Sequence, residues 1–318
     1  MSEMNTEAGA AGAVGRFEPA PPLPDWLAAE LPFERRAYRL GRGADADRLV
    51  HFIDHGTRDA RPVVMVHGNP TWSYLWRKVI ARLPELRCVA PDLLGFGLSD
   101  KLRHWSEHSL ERHAGAVAEL IEALDLDGVV LVGQDWGGPI AVLAGSHLPD
   151  RIAGLVLANT AVLLPERLRG TAFHRFARIP LLSNIVFQDL GFPLWALGRV
   201  QGDPASIRGT TARAYRWPLR RIRDRPGPLA LARMVPGGED HPSVPALRRG
   251  EAWVRSFEGP AALVWGRRDP ILGRALRRHQ EAFPDAPVTH TTAGHFLQEE
   301  VPDELAAAVR DVAARLSG

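Results

Sequence analysis

The sequence predicts an α/β fold, a mostly parallel sheet flanked by helices, with a long helical insertion late in the chain. Three observations predict it. Short apolar runs alternate with stretches of helical spacing, the pattern of a parallel sheet covered on both faces. The alternation breaks after Asn159 and resumes only near Ala262. With 318 residues, 45% of them hydrophobic, the chain is long enough for one large domain carrying an inserted subdomain.

Residues 1–30 open with MSEMNTEAGAAGAVG, whose small and polar residues suit a flexible tail. The stretch has neither a positive n-region nor an apolar h-region, so the expectation is a cytoplasmic protein. Candidate strands follow at RLVHFIDH (48–55), PVVMVHG (62–68), CVAPD (88–92), VVLVGQ (129–134), AGLVLAN (153–159), ALVWG (262–266) and VTHTT (288–292). Two helices are well marked. SLERHAGAVAELIEAL (109–124) places Leu110, Ala114, Val117, Leu120, Ile121 and Leu124 on one face, and PDELAAAVRDVAARL (302–316) repeats the pattern. Residues 31–159 and 256–318 are therefore assigned to the main domain and 160–255 to a helical cap. Ligands of open α/β sheets bind at the carboxyl ends of the strands, so the cap is expected over that edge.

Composition removes several function classes. No run of 18 apolar residues is present, so no membrane span is expected. The net charge is only +2, and the densest basic run, RWPLRRIRDRPG (216–227), is interleaved with aspartate and reads as a solvated face, so no nucleic-acid partner is expected. All basic residues but Lys78 and Lys101 are arginines, which looks like a bias of base composition. The single cysteine, Cys88, excludes an intrachain disulfide and reads as strand packing. The histidines are scattered without metal-ligand spacing, and the glycines near residue 135 do not form a dinucleotide fingerprint, so no metal and no cofactor are expected.

The chemistry concentrates at three strand ends. GQDWGG sets Asp135 directly after an apolar strand, between Gly133 and the pair Gly137 and Gly138, the surroundings of a nucleophile elbow with a carboxylate where serine usually stands. Asp269 follows ALVWG in GRRDPILG, and His295 follows VTHTT in AGHFLQEE. Parallel strands bring these ends to one edge, and the order nucleophile, acid, base is that of the α/β hydrolases. Each residue alone has a bland explanation, a helix cap for Asp135, a turn for Asp269, a loop histidine for His295; the constellation favours chemistry. HGNPTW (67–72) also follows a strand, and the backbone N–H groups of Asn69 and Trp136 are expected as oxyanion donors. His67 reads as a support of this turn, and Ser99, in PDLLGFGLSD, as a turn or capping residue.

Together HGNPTWSYLWRK, PDLLGFGLSDK, LVGQDWGG, WGRRDPILG and AGHFLQEE resemble the haloalkane dehalogenases of the α/β-hydrolase superfamily. The likeness runs from about Tyr38 to the C-terminal helix; in the cap only NTAVLLP and AYRWPLR share it. It implies an eight-stranded sheet with the cap inserted after the sixth strand. It implies attack by Asp135 on a saturated carbon, side chains of Asn69 and Trp136 as halide donors, and His295 supported by Asp269 as the base that activates water against the alkyl ester. One subgroup carries its supporting acid as a glutamate after the strand preceding the cap, where this chain has Asn159 and Thr160, with Glu166 farther on. Another takes a halide donor from a cap tryptophan, for which Trp195 is the candidate. The pattern Asp135, His295, Asp269 with Asn69 and Trp136 resembles the remaining subgroup, whose relatives include β-lactone decarboxylases of olefin biosynthesis.

The expected partners are a small apolar halogenated substrate, water and halide, in a monomer or homo-oligomer. Phe173, Phe176, Trp195 and Leu272 are the candidates to line the substrate pocket. Three rivals remain at this point: a β-lactone decarboxylase, a non-catalytic binding module, and an epoxide hydrolase. The last depends on a pair of cap tyrosines, and of Tyr38, Tyr74 and Tyr215 only Tyr215 lies in the cap.

Overall fold

The computed structural model describes residues 15–316. Its centre is one nine-stranded sheet of order β1-β2-β3-β5-β4-β6-β7-β8-β9. The strands are β1 (Arg16–Pro19), β2 (Arg35–Arg39), β3 (Leu49–His55), β4 (Pro62–Val66), β5 (Arg87–Pro91), β6 (Val129–Asp135), β7 (Ile152–Thr160), β8 (Ala261–Gly266) and β9 (Val288–Thr291). From β5 to β9 all neighbours are parallel; β1, β2 and β3 add an antiparallel flank. The parallel strands β4 and β6 are buried along nearly their whole length, which is why they read as continuous apolar runs.

Two expectations need correction. The sheet has nine strands rather than eight, and the helical insertion follows the seventh, because Arg16–Pro19 pairs with β2 as an extra edge strand. That strand and a helical turn at Asp25–Ala28 both lie in the stretch predicted as a flexible tail. Leu27 explains the order: it is fully buried among Leu31, Ile53 and Met65 and ties the segment to the sheet. The rest of that predicted tail, residues 1–14, lies outside the described residues.

The helices Leu110–Ala123 and Pro302–Ala314 form on the faces that their apolar spacing dictates, the first capped by Ser109, whose hydroxyl accepts the Arg112 N–H at 3.2 Å. Two large apolar layers result, one on each side of the sheet. Between Thr160 and Ala261 no strand is present among the described residues; short helices punctuated by prolines fill the interval. Its last helix, Val244–Arg255, predicted as cap, packs on the main-domain helix Gly137–His147. A Cβ on Gly145 would press on the Trp253 ring, and one on Gly250 would meet Val142. A smaller apolar cluster of Ala177, Phe187, Leu229 and Ala232 lies within the insertion, while Leu194, Leu219, Leu197, Ile207 and Tyr215 join the two large layers. No helix among the described residues is long and apolar enough to cross a membrane.

Candidate active site

Asp135 ends β6 and Gly137–His147 begins two residues later, so the chain must reverse within one turn. It does so by holding Asp135 at φ +51°, a left-handed conformation that costs a non-glycine residue about 1–2 kcal/mol. The glycines make this turn possible by leaving space. A Cβ on Gly137 would strike the Val66 carbonyl, one on Gly138 the Thr160 hydroxyl, and one on Gly133 would come within 2.6 Å of Gly138 Cα. Gly68, from the HGNPTW loop, faces Asp135 so closely that a Cβ there would lie 2.5 Å from Asp135 Cβ. The Thr160 hydroxyl donates to the Asp135 carbonyl at 2.7 Å and fixes the turn from the next strand.

The carboxylate of Asp135 has two different sides. Its Oδ1 accepts the backbone N–H of Asn69 at 2.8 Å, and its Oδ2 lies 3.5 Å from His295 Nε2. On the far side of the imidazole, Nδ1 stands 3.0 Å from Asp269 Oδ2, and Asp269 Oδ1 accepts the Ile271 N–H at 2.8 Å. His295 and Asp269 are both buried, whereas Asp135 retains some access to the cavity. Burial opposes a charged imidazole, but the charge of Asp269, the hydrogen bonds to Asp135 and Asp269, and the charge of Asp135 outweigh it. The pKa of His295 is raised to about 10.

The Asn69 amide donates one N–H to the Pro228 carbonyl of the helix Pro226–Met234 at 3.1 Å, which leaves one N–H for a ligand. Trp136, half-buried beside Asp135, makes no side-chain hydrogen bond. His67 is fully buried: Nδ1 donates to the Gly68 carbonyl at 2.9 Å and Nε2 accepts the Leu93 N–H at 2.9 Å. Burial lowers its pKa, so it is a neutral brace of the loop. Ser99 donates to the Asp92 carbonyl at 2.7 Å and accepts the His51 N–H at 2.9 Å, far from any nucleophilic role.

Three polar residues near these atoms were not singled out from the sequence. Gln134 donates to the His295 carbonyl at 3.1 Å, and Asn159 donates to the carbonyls of Gly294 and His295 at 2.8 and 3.1 Å while accepting the Gly266 N–H at 2.9 Å. These two amides pin the histidine loop to the ends of β6, β7 and β8. The available signal was a polar residue at the end of an apolar strand. The third is His174, whose Nδ1 accepts from the Thr171 backbone N–H at 3.3 Å, so its proton resides on Nε2.

Two lobes of a cavity meet at Asp135, Trp136, His174 and Ile271. The larger, about 570 Å³, reaches Asn69, Phe173, Phe192 and His295; the smaller, about 210 Å³, runs between Leu163, Leu164, Leu168, Leu247 and Leu272. Of the predicted pocket residues, Phe173 and Leu272 line these lobes and Phe176 and Trp195 do not. Phe176 turns into the cap's own apolar cluster, and Trp195 lies in an outer groove with Arg213 and Trp217, its ring half exposed under the Arg199 guanidinium.

A family model of the alpha/beta hydrolase fold matches residues 61–302. A haloalkane dehalogenase from Mycolicibacterium paratuberculosis is 33% identical over 264 residues, covering 81% of this chain and 85% of the relative. Haloalkane dehalogenase 2 of Mycobacterium tuberculosis is 32% identical, covering 92% and 97%. The chain belongs to the haloalkane dehalogenases. The solved structure of haloalkane dehalogenase DpaA from Paraglaciecola agarilytica, described as tetrameric, superposes with TM-score 0.75 at 28% identity, over 88% of this chain and 93% of that one. In this haloalkane dehalogenase, Asn159 holds the histidine loop, and the carboxylate beside His295 Nδ1 is Asp269.

Proposed function

We propose that this chain hydrolyses carbon–halogen bonds of haloalkanes to alcohol, halide and a proton through an alkyl ester on Asp135. The observation that carries the proposal is the asymmetric setting of that carboxylate. Oδ1 is held by the Asn69 N–H, and Oδ2 is left to the apolar cavity and to His295. Oδ2 attacks the saturated carbon, the carbon–halogen bond breaks with its electron pair on the halide, and the side chains of Asn69 and Trp136 donate to the departing ion. Oδ1 becomes the ester carbonyl oxygen. Water, deprotonated by His295 Nε2, adds to the ester carbon, and the charge on Oδ1 is met by the backbone N–H groups of Asn69 and Trp136. Asp269 stabilises the imidazolium so formed. Collapse of this adduct breaks the bond from the carboxyl carbon to Oδ2, which leaves as the alcohol with the proton returned by His295, and the carboxylate is restored with one oxygen from water. A serine at this position would end the sequence at a stable ether. These assignments are those of the subgroup with Asp-His-Asp and Asn-Trp, and the segment after Thr160 serves as the cap that keeps the cavity dry.

The tyrosines separate this reaction from epoxide opening. Tyr38 donates to Glu119, Tyr74 to Glu30, and Tyr215 to Glu299 at 3.2, 2.9 and 2.5 Å, and none lines either lobe. No phenol is placed to protonate an epoxide oxygen. The test is halide release from matched bromo- and chloroalkanes beside an epoxide and a β-lactone. We expect halide release and, in His295→Gln, an alkyl adduct on Asp135 visible by intact mass. Lactone turnover without halide release overturns the proposal.

A further inference from the structure

The smaller lobe is lined by apolar side chains with four polar exceptions: Asp135 and His174 at its junction with the larger lobe, and Arg169 and Arg278. Neither arginine makes a hydrogen bond or an ion pair with the protein, and neither stacks on a ring. Arg278 is half-buried, and its Nε is enclosed without any partner. Its terminal N–H groups are not enclosed and have no acceptor on the protein, so a guanidinium at the wall of a largely apolar lobe can take one from a ligand. Burial is the largest influence on Arg278 and lowers its pKa.

The charged groups around Arg278 are Arg277 and Glu281 on its own segment and Glu251 from the packed helix Val244–Arg255. Glu251 is already engaged, with Arg255 at 2.7 Å and with the Leu164 N–H at 3.3 Å. Asp135, Arg169 and Arg278 all line this lobe, Asp135 at its junction with the larger one. An anion entering this lobe is repelled by Asp135 and attracted by Arg169 and Arg278, which fixes its orientation.

We propose that the smaller lobe binds the carboxylate of an ω-halogenated carboxylic acid against Arg278 and Arg169, with the carbon–halogen bond presented to Asp135. This rests on the dehalogenation proposed above and names its substrate class. The bonds that change are the same: the carbon–halogen bond breaks, the ester with Asp135 Oδ2 forms, and water releases an ω-hydroxy acid, halide and a proton. The carboxylate is a handle and takes no part in the bond changes. A neutral haloalkane of the same length enters the cavity without it.

The experiment compares kcat/KM for ω-bromoalkanoates of graded length with their methyl esters and with unsubstituted bromoalkanes, in wild type, Arg278→Gln, Arg278→Lys and Arg169→Gln. We expect the best acid to exceed its methyl ester by about tenfold or more at low ionic strength, the size of one charge-assisted contact. Arg278→Gln should bring that ratio toward one, Arg278→Lys should retain part of it, and added salt should reduce it in wild type. If bromoalkanes are turned over but the acids are no better and Arg278→Gln leaves the ratio unchanged, the carboxylate site is refuted while dehalogenation stands. If no substrate releases halide, the reaction itself fails and the carboxylate site with it.

Discussion

Replacing Asp269 by asparagine isolates the second half of the proposed reaction. Asp269 Oδ1 accepts the Ile271 N–H at 2.8 Å, while Oδ2 faces His295 Nδ1 at 3.0 Å. Since Ile271 offers only a donor, an asparagine keeps that bond only by placing its carbonyl oxygen there, and its NH₂ is then turned on Nδ1. The imidazole must accept on Nδ1 and carry its proton on Nε2, the atom that has to take a proton from water. Volume is nearly unchanged in a fully buried site, so the effect is chemical rather than steric. The same exchange in a Ser-His-Asp triad costs ~10⁴-fold in kcat, about 5 kcal/mol of barrier. We expect steady-state halide release to slow by ~10³ to 10⁴-fold, after a burst of one halide per active site, because attack by Asp135 uses no base. Rapid-quench halide assay measures the burst, and intact mass shows the ester. Turnover within about tenfold of wild type, or loss of the burst together with turnover, refutes the reasoning.

Asn69→Ala removes one donor to the departing halide and should lower kcat by about 10²-fold, more for chloro- than for bromoalkanes because chloride is the poorer leaving group; paired steady-state assays measure it. Gly137→Ala drives a methyl into the Val66 carbonyl and should cost about 2–4 kcal/mol in denaturant unfolding. Gly115→Ala, in the helix Leu110–Ala123 with nothing near its missing Cβ, should instead gain about 0.5–1 kcal/mol. The ordinary histidine value is 6.5 and His295 is raised to about 10, so its contribution to stability is complete below 6.5 and is lost as pH rises through about 10. Thermal melts of wild type and His295→Gln should therefore differ more at pH 6 than at pH 10, and an equal difference at both contradicts the charge assignment.

The strand ends were legible because their information is local: an apolar run, then a residue that no strand needs. Asp135 closes such a run, Asp269 comes three residues after β8 and His295 four after the more polar β9, and parallel topology brings the three together. What escaped depends on partners distant in sequence. RFEP and RRAYR show no alternation, and they become strands only by pairing with each other and with β3. In the cap, prolines cut the helices into pieces too short to show a buried face, so Phe176 and Trp195 pointed nowhere until Phe187, Leu229 and the outer groove were placed around them. Val244–Arg255 has a clear amphipathic pattern, but only the small residues Gly145 and Gly250 show that it docks on the main domain. Gln134 and Asn159 were hidden for the same reason, since their partners are carbonyls more than a hundred residues away.

In the proposed reaction the charge arrangement also orders the two chemical steps. In the resting site His295 lies between two carboxylates, and its pKa of about 10 keeps it protonated at neutral pH. That proton does not hinder alkylation, which uses the free Oδ2 lone pair of Asp135 3.5 Å away. Once the ester forms, Asp135 is neutral and one of the two charges that raised His295 is gone. Burial, which opposes the imidazolium, is then countered by Asp269 alone, and the pKa falls. Nε2 thus becomes a base when the ester exists and water must be activated. The partition depends on geometry that Gln134 and Asn159 maintain: with the histidine carbonyl held by both amides, the ring stays between its two carboxylates.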